Sequence, residues 1–101
     1  MLTGKQRSYL RKLGQELEPL VFIGKNDITA TVITEMDNLL SSRELVKAKL
    51  QESSTLDPKW AANEMARLTD AEYVQSIGRK FVLYRQARDP EKRKIVLPKG
   101  K

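Results

Sequence analysis

The chain contains no cysteine and no histidine. Without cysteine it has no disulfide, no thiolate nucleophile and no redox chemistry of its own, and without either residue it has no zinc site of the usual Cys/His kind. Histidine is also the side chain most often used as an acid or base near neutral pH, so any proton transfer would fall to carboxylates, lysine or tyrosine. These absences argue against an enzyme, and no catalytic residue, metal ligand or cofactor is assigned. Long apolar runs are missing as well. The longest, Leu20-Val21-Phe22-Ile23, falls far short of the roughly 18 residues that a membrane-spanning helix needs. Met1-Leu2-Thr3-Gly4-Lys5 opens the chain without an apolar segment or a small-residue cleavage site behind it, so a cytoplasmic protein is expected.

What is present suits one small soluble domain. The chain has 101 residues, 40% of them apolar and 32% charged, and a domain of this size buries somewhat over about 60% of the surface that its unfolded chain exposes. Lysine and arginine number 19 against 13 acidic residues, for a net charge of +6. Their distribution says more than their sum. Lys5, Arg7, Arg11 and Lys12 occur in residues 1–15 with no acid among them. From Gly78 onward Arg79, Lys80, Arg85, Arg88, Lys92, Arg93, Lys94, Lys99 and Lys101 stand against Asp89 and Glu91 alone, so the middle of the chain is acidic. Chain ends often lie near one another in a compact domain, and two basic ends that meet form a patch that attracts phosphates. The plainer alternative is a solvated basic surface that serves solubility.

Thr3 and Gln6 have the spacing of a capping box, and Leu10, Leu13 and Leu17 follow at helical intervals, which predicts a helix over residues 4–17. Lys5 and Arg7 in its first turns oppose the helix dipole. Pro19 ends it, and Leu20 to Ile23 reads as a short strand buried on both faces. A turn at Gly24-Lys25-Asn26-Asp27 leads to a second helix with Ile28, Val32, Met36 and Leu39 or Leu40 inward, capped by Asp27 or Thr29. Residues 45–51 alternate, with Val46, Ala48 and Leu50 on one face and Lys47 and Lys49 on the other. Asp57-Pro58 starts a third helix over 58–69. Trp60 in its first turn is read as core or core rim, because tryptophan buries so much area. Tyr73–Ile77 and Phe81–Arg85 form a hairpin with Gly78-Arg79-Lys80 as a basic tip. The fold class is therefore α/β, in the order α-β-α-β-α-β-β, with a small mixed four-stranded sheet packed by helices in a single compact domain over residues 1–86. Residues 87–101 form a basic C-terminal tail, in which only 95–97 could add a short strand.

A run of ordered blocks carries a resemblance to a known family. Leu2-Thr3-Gly4-Lys5-Gln6, Ile23-Gly24-Lys25-Asn26, Arg43-Glu44-Leu45-Val46-Lys47, Val74-Gln75-Ser76-Ile77-Gly78 with Val82-Leu83-Tyr84-Arg85, and Ile95-Val96-Leu97-Pro98 together resemble the YhbY-type CRM domain, the chloroplast RNA splicing and ribosome maturation family. The resemblance covers nearly everything from Leu2 to Pro98. It implies a fold similar to the C-terminal domain of bacterial translation initiation factor three, no enzyme activity, and an RNA-binding module whose bacterial members are associated with precursors of the large ribosomal subunit. It also implies a Gly-x-x-Gly loop like the one with which K homology domains hold a nucleic-acid backbone. Here that loop reads Gly24-Lys25-Asn26-Asp27, with an acid in place of the second glycine. Two roles remain open for Asp27: opposing a phosphate at the loop, or turning inward to cap the second helix while Lys25 and Asn26 make the contact.

The candidate RNA-binding residues are Gly24, Lys25, Asn26 and Asp27 in the loop, Lys5, Arg7, Arg11 and Lys12 on the first helix, and Arg79 and Lys80 at the hairpin tip. Such residues meet phosphate or sugar rather than read bases. Lys47 and Lys49 are held back because a helix could cover their face of the strand. The expected partner is ribosomal RNA in large-subunit precursors, with no membrane and no small-molecule substrate. The rival is a protein-binding adaptor whose basic charge is incidental.

Overall fold

A computed structural model describes residues 2–99; Lys101, counted above in the basic C-terminal segment, lies outside the described residues. The elements run α1 (Gly4–Gln15), β1 (Val21–Ile23), α2 (Ala30–Arg43), β2 (Leu45–Leu50), α3 (Pro58–Thr69), β3 (Glu72–Ile77), β4 (Lys80–Tyr84) and a single 3-10 turn at Pro90–Lys92. The expected order of helices and strands holds. The sheet has four strands in the order β1-β2-β4-β3, with β1 parallel to β2 and the other pairs antiparallel. The helix α2 makes the crossover that a parallel β1-β2 pair requires.

Period-two alternation in the strands builds two apolar layers. Val21, Ile23, Val46, Ala48, Leu50, Phe81 and Leu83 face α2 and α3, where Met36, Leu40, Ala61, Ala62 and Met65 complete the larger core. Leu45, Val74, Val82 and Tyr84 face the other way and meet Leu2 and Leu10 of the N-terminal segment and α1. Close approach at α1 depends on Gly14, since a Cβ there would lie 3.2 Å from both methyl groups of Val82.

Several boundaries and burials differ from expectation, each for a local reason. The helix α1 stops at Gln15 and not at residue 17: Glu16 and Leu17 donate to the carbonyls of Leu13 and Gly14, a tightened last turn, and Pro19 disfavours a helical conformation at the residue before it. The strand β1 is not buried on both faces: Val21 and Ile23 are fully buried, but Phe22 is 48% exposed. The helix α2 packs on this strand, whereas α1 packs on β2, β3 and β4. Trp60 is not core but 53% exposed, on the rim beside Ile28 and Leu56. The inward positions of α3 are taken by Ala61, Ala62, Met65 and Ala66, which turns Trp60 to the rim of the helix. Residues 95–97 form no strand. The amides of Lys94 and Ile95 donate instead to one carboxylate oxygen of Glu44 (2.6 and 3.0 Å), and Ile95 and Leu97 pack against the layer under α1.

Candidate nucleic-acid interface

The loop after β1 closes through the amide of Asp27, which donates to the carbonyl of Gly24 at 2.9 Å. Lys25 and Asn26 occupy its apex and are exposed. Gly24 sits tightly against the next loop, where a Cβ would meet Oε1 of Gln51 at 2.9 Å. Asp27 does not cap α2. That role belongs to Thr29, whose Oγ1 accepts from the amide of Val32 at 3.2 Å. Asp27 has a φ of 59°, a left-handed conformation that aspartate tolerates better than most residues. Its carboxylate accepts from Oγ of Ser54 at 3.4 Å. The residue therefore supplies the backbone geometry that a glycine would supply, and its charge is drawn toward the 51–54 loop.

The hairpin between β3 and β4 turns at Gly78 and Arg79, with Gly78 at a φ of 60°. Arg79 is not a free tip residue. Its guanidinium folds back and donates to the carbonyls of Leu50 (3.1 Å), Gln51 (2.5 Å) and Ser54 (3.0 Å). The amide of Leu50 donates to the carbonyl of Arg79 at 2.7 Å, and that of Gln51 to the carbonyl of Ile23 at 2.8 Å. The three loops 24–27, 51–54 and 78–79 are thus fastened together at one end of the sheet. Lys80, the first residue of β4, stands exposed beside them.

On α1 the capping box forms as the spacing of Thr3 and Gln6 requires. Arg7 and Arg11 lie along β3, donating through Nε to the carbonyls of Tyr73 (3.3 Å) and Val74 (3.4 Å). The β3 register shifts between Tyr73 and Gln75, and the two arginines bond to carbonyls at this irregular stretch of an edge strand. Lys5 and Lys12 project from the exposed side of the helix. Their seven-residue spacing puts them on one stripe, apart from the arginines.

The structure therefore brings Lys25, Asn26, Arg79 and Lys80 to one end of the sheet, with Gly24 and Asp27 shaping the loop. It does not bring Lys5 into that group, since the start of α1 lies at the other end: there the amide of Leu2 donates to Glu72 at 2.8 Å, and Glu72 pairs with Tyr84, the last residue of β4. Two lysines that sequence reasoning set aside belong with the loop group. Lys49 is exposed because α1 stops short of it, and Lys47 is half-buried where the end of α1 reaches the sheet. The alternation of β2 pointed to both, but nothing local in the sequence says where a covering helix ends.

Most basic residues of the tail lie at the opposite end of the sheet. Arg85 donates to Asp37 Oδ1 (2.7 Å), the Asp37 carbonyl (2.9 Å), Ser41 Oγ (2.8 Å) and the Thr69 carbonyl (2.6 Å). Glu44 is fully buried and accepts from the amides of Ala87, Lys94 and Ile95. Burial pushes its carboxyl up, but those three amides and the nearby Arg93 outweigh the burial and hold it below its ordinary value. The Tyr84 hydroxyl beside it is pushed up, by burial and by the charge of Glu44. Among the described residues no cluster of three acidic side chains is arranged to hold a metal ion.

Residues 2–85 match the model of the CRS1/YhbY (CRM) domain. A Haemophilus influenzae protein named RNA-binding protein is 37% identical over 98 residues, covering 97% of this chain and 96% of its own. A Bacillus subtilis relative, named Probable RNA-binding protein YqeI, is 32% identical over 97% of this chain and all of its own. The solution structure of a hypothetical protein from Staphylococcus aureus superposes with a TM-score of 0.79 at 37% identity, covering 97% of this chain and 100% of that one.

Proposed function

Since the chain belongs to the CRS1/YhbY (CRM) domain family, we propose that it binds RNA, and that its target is ribosomal RNA in precursors of the large ribosomal subunit, where it acts as an assembly factor. The observation that carries the RNA reading is the cluster of Lys25, Asn26, Lys49 and Lys80 around three interlocked loops, with none of the three lysines engaged in an ion pair within the described residues. Cations left solvated next to a rigid backbone platform suit phosphate contacts, which position an RNA without reading its sequence. Arg79 is a positioning residue in this scheme, holding the 51–54 loop in place. Arg11 and Lys12 extend the surface along α1. No reaction is assigned to the protein. A cytoplasmic address goes with the reading, and among the described residues no helix is long and apolar enough to cross a membrane.

The test is crosslinking in growing cells followed by sequencing of the attached RNA. Enrichment of large-subunit ribosomal RNA and its precursor ends is the expected result. Recovery of messenger RNA instead would refute the assembly role, and recovery of no RNA would refute the reading entirely.

A second reading, a protein-binding adaptor, has one observation in its favour. Trp60 and Leu68 of α3, both exposed, border a hollow of about 260 Å³ with Ile28 and Leu56. Asp27 and Glu64 also line it, so its charge disfavours RNA. A pulldown that survives nuclease and high salt, and is lost in Trp60→Ala, would favour this reading, because phosphate-dominated binding fails under those conditions.

A further inference from the structure

One face of the sheet is left half-uncovered, and its register shows what it presents. The face toward α1 carries Leu45, Lys47 and Lys49 on β2. Cross-strand partners lie on the same face, so pairing places Phe22 beside Lys49, Lys49 beside Lys80, and Lys80 beside Ile77. These four side chains form one row across all four strands, spanning about 14 Å at the usual strand spacing. The next row inward holds Lys47, Val82 and Gln75. There α1 arrives: Gly14 rests on Val82, and Gln15 borders a hollow of about 220 Å³ with Lys47, Gln75, Ile77 and Lys80. Beyond that point nothing among the described residues covers the sheet. Phe22 is 48% and Ile77 62% exposed, and the two outer rows contain no acidic side chain of their own, although Glu16 and Glu18 share a hollow with Lys47.

We propose that this open end of the sheet holds unpaired RNA nucleotides, one base stacked on the ring of Phe22 and the adjoining phosphates on Lys49 and Lys80. The proposal rests on the RNA-binding reading above and adds to it a second kind of contact and a preferred form of RNA. An aromatic ring flanked by lysines on a flat strand surface is the arrangement by which single strands are bound, because every base has a face to stack while the backbone follows the cations. A protein partner fits less well, since the centres of protein interfaces are depleted in lysine. A duplex fits less well too, since its base faces are stacked on one another and closed to the ring. The face is also continuous with the loop end: Phe22 is two residues before Gly24, and Lys80 follows Arg79 directly. A strand held at Lys25 and Asn26 can therefore run onto it.

The test uses the intact protein with two labelled probes, a single-stranded oligouridylate and an RNA duplex, each titrated at low salt by fluorescence anisotropy. Phe22→Leu keeps the apolar bulk of a half-exposed position but removes the ring, and Phe22→Trp keeps a ring. The expected result is single-strand affinity reduced about five-fold or more in Phe22→Leu, restored in Phe22→Trp, with duplex affinity the same in all three proteins. Single-strand affinity unchanged in Phe22→Leu would overturn the proposal, as would a wild-type protein that binds the duplex and not the single strand; both outcomes leave the RNA-binding reading intact. Failure of the wild type to bind either probe would overturn that reading as well, and would leave the face to a protein partner. A thermal melt of each variant separates loss of the ring from loss of the fold.

Discussion

The two ends of the sheet bind different shares of their cations into the fold, although Arg88 and Lys92 at the tail end also stay exposed. At the end where β4 finishes, Arg85 makes four hydrogen bonds to α2 and α3, Arg93 donates to the carbonyl of Ala87 at 2.8 Å, and buried Glu44 gathers three backbone amides of the tail. At the loop end only Arg79 is used in this way, while Lys25, Lys49 and Lys80 stand in solvent. A basic residue bound into the fold has its donors satisfied and adds little to a binding surface beyond its distant field. A solvated lysine keeps its charge and its three donors available. Net charge alone therefore overstates the surface that can meet RNA, and both a cation's hydrogen bonds and the end of the sheet that it occupies decide whether it counts.

The largest effect expected from breaking this contrast is on the structural end. Glu44→Ala leaves three tail amides without their acceptor and should destabilise the protein by about 3 kcal/mol, read by urea denaturation, while RNA affinity per folded molecule stays within about two-fold. The same group sets a pH dependence. Its folded-state carboxyl is held below the ordinary value of 4.5, so its contribution to stability is complete above that pH and is lost as pH falls through the lowered value. Melts of wild type and Glu44→Gln taken from neutral to acidic pH should therefore converge as the pH drops below about 4.5. A constant gap would show that Glu44 is not ionised in its pocket.

Arg79→Ala comes next. Removing a guanidinium that donates to three carbonyls should cost about 1.5–3 kcal/mol of stability. It should also weaken RNA binding through disorder of the loop, with Arg79→Lys recovering part of both. Affinity loss without stability loss would instead make Arg79 a direct RNA contact.

How far these roles could be read beforehand depended on their range along the chain. The capping box at Thr3 and Gln6, the Asp57-Pro58 start of α3 and the alternation of Lys47 and Lys49 are signals within a few residues, and the structure contains all three. Arg79 was legible as a basic hairpin residue, but its acceptors lie 25 to 29 residues back in the sequence. Glu44 stands in one of the blocks that carry the family resemblance, but nothing there shows its role, because its partners come 43 to 51 residues later. The strand β1 is too short for a period of two to reveal which of Val21, Phe22 and Ile23 faces out. Its half-open state follows from where α1 ends on the sheet, a tertiary fact. Trp60 was placed inward by its size alone, whereas three alanines and a methionine fill that face of α3.

Smaller effects sharpen the loop end itself. If about 4 to 6 phosphates are engaged, the log-log dependence of RNA affinity on salt should have a slope of roughly −3 to −5, and a flat response would remove phosphate contact from the account. Asp27→Gly should change least. Glycine accepts the φ of 59° and loses only a long hydrogen bond to Ser54, so stability should move by less than about 1 kcal/mol. Removing the charge near the loop should tighten RNA binding by about 1 kcal/mol at low salt, and by less as screening grows. Equal affinity for wild type and variant at both salts would mean that phosphates do not pass this loop.

The most direct measurement compares charge reversal at the two ends in one filter-binding experiment on precursor large-subunit RNA. One variant carries Lys25→Glu and Lys80→Glu, the other Arg88→Glu and Lys92→Glu, all four positions being exposed, with thermal melts run alongside. The account predicts that the first variant loses about ten-fold or more in affinity at low salt, since two phosphate contacts turn repulsive, while the second stays within a few-fold of wild type. Equal losses in both would mean that only the net charge matters, and a larger loss in the second would put the RNA at the wrong end of the sheet.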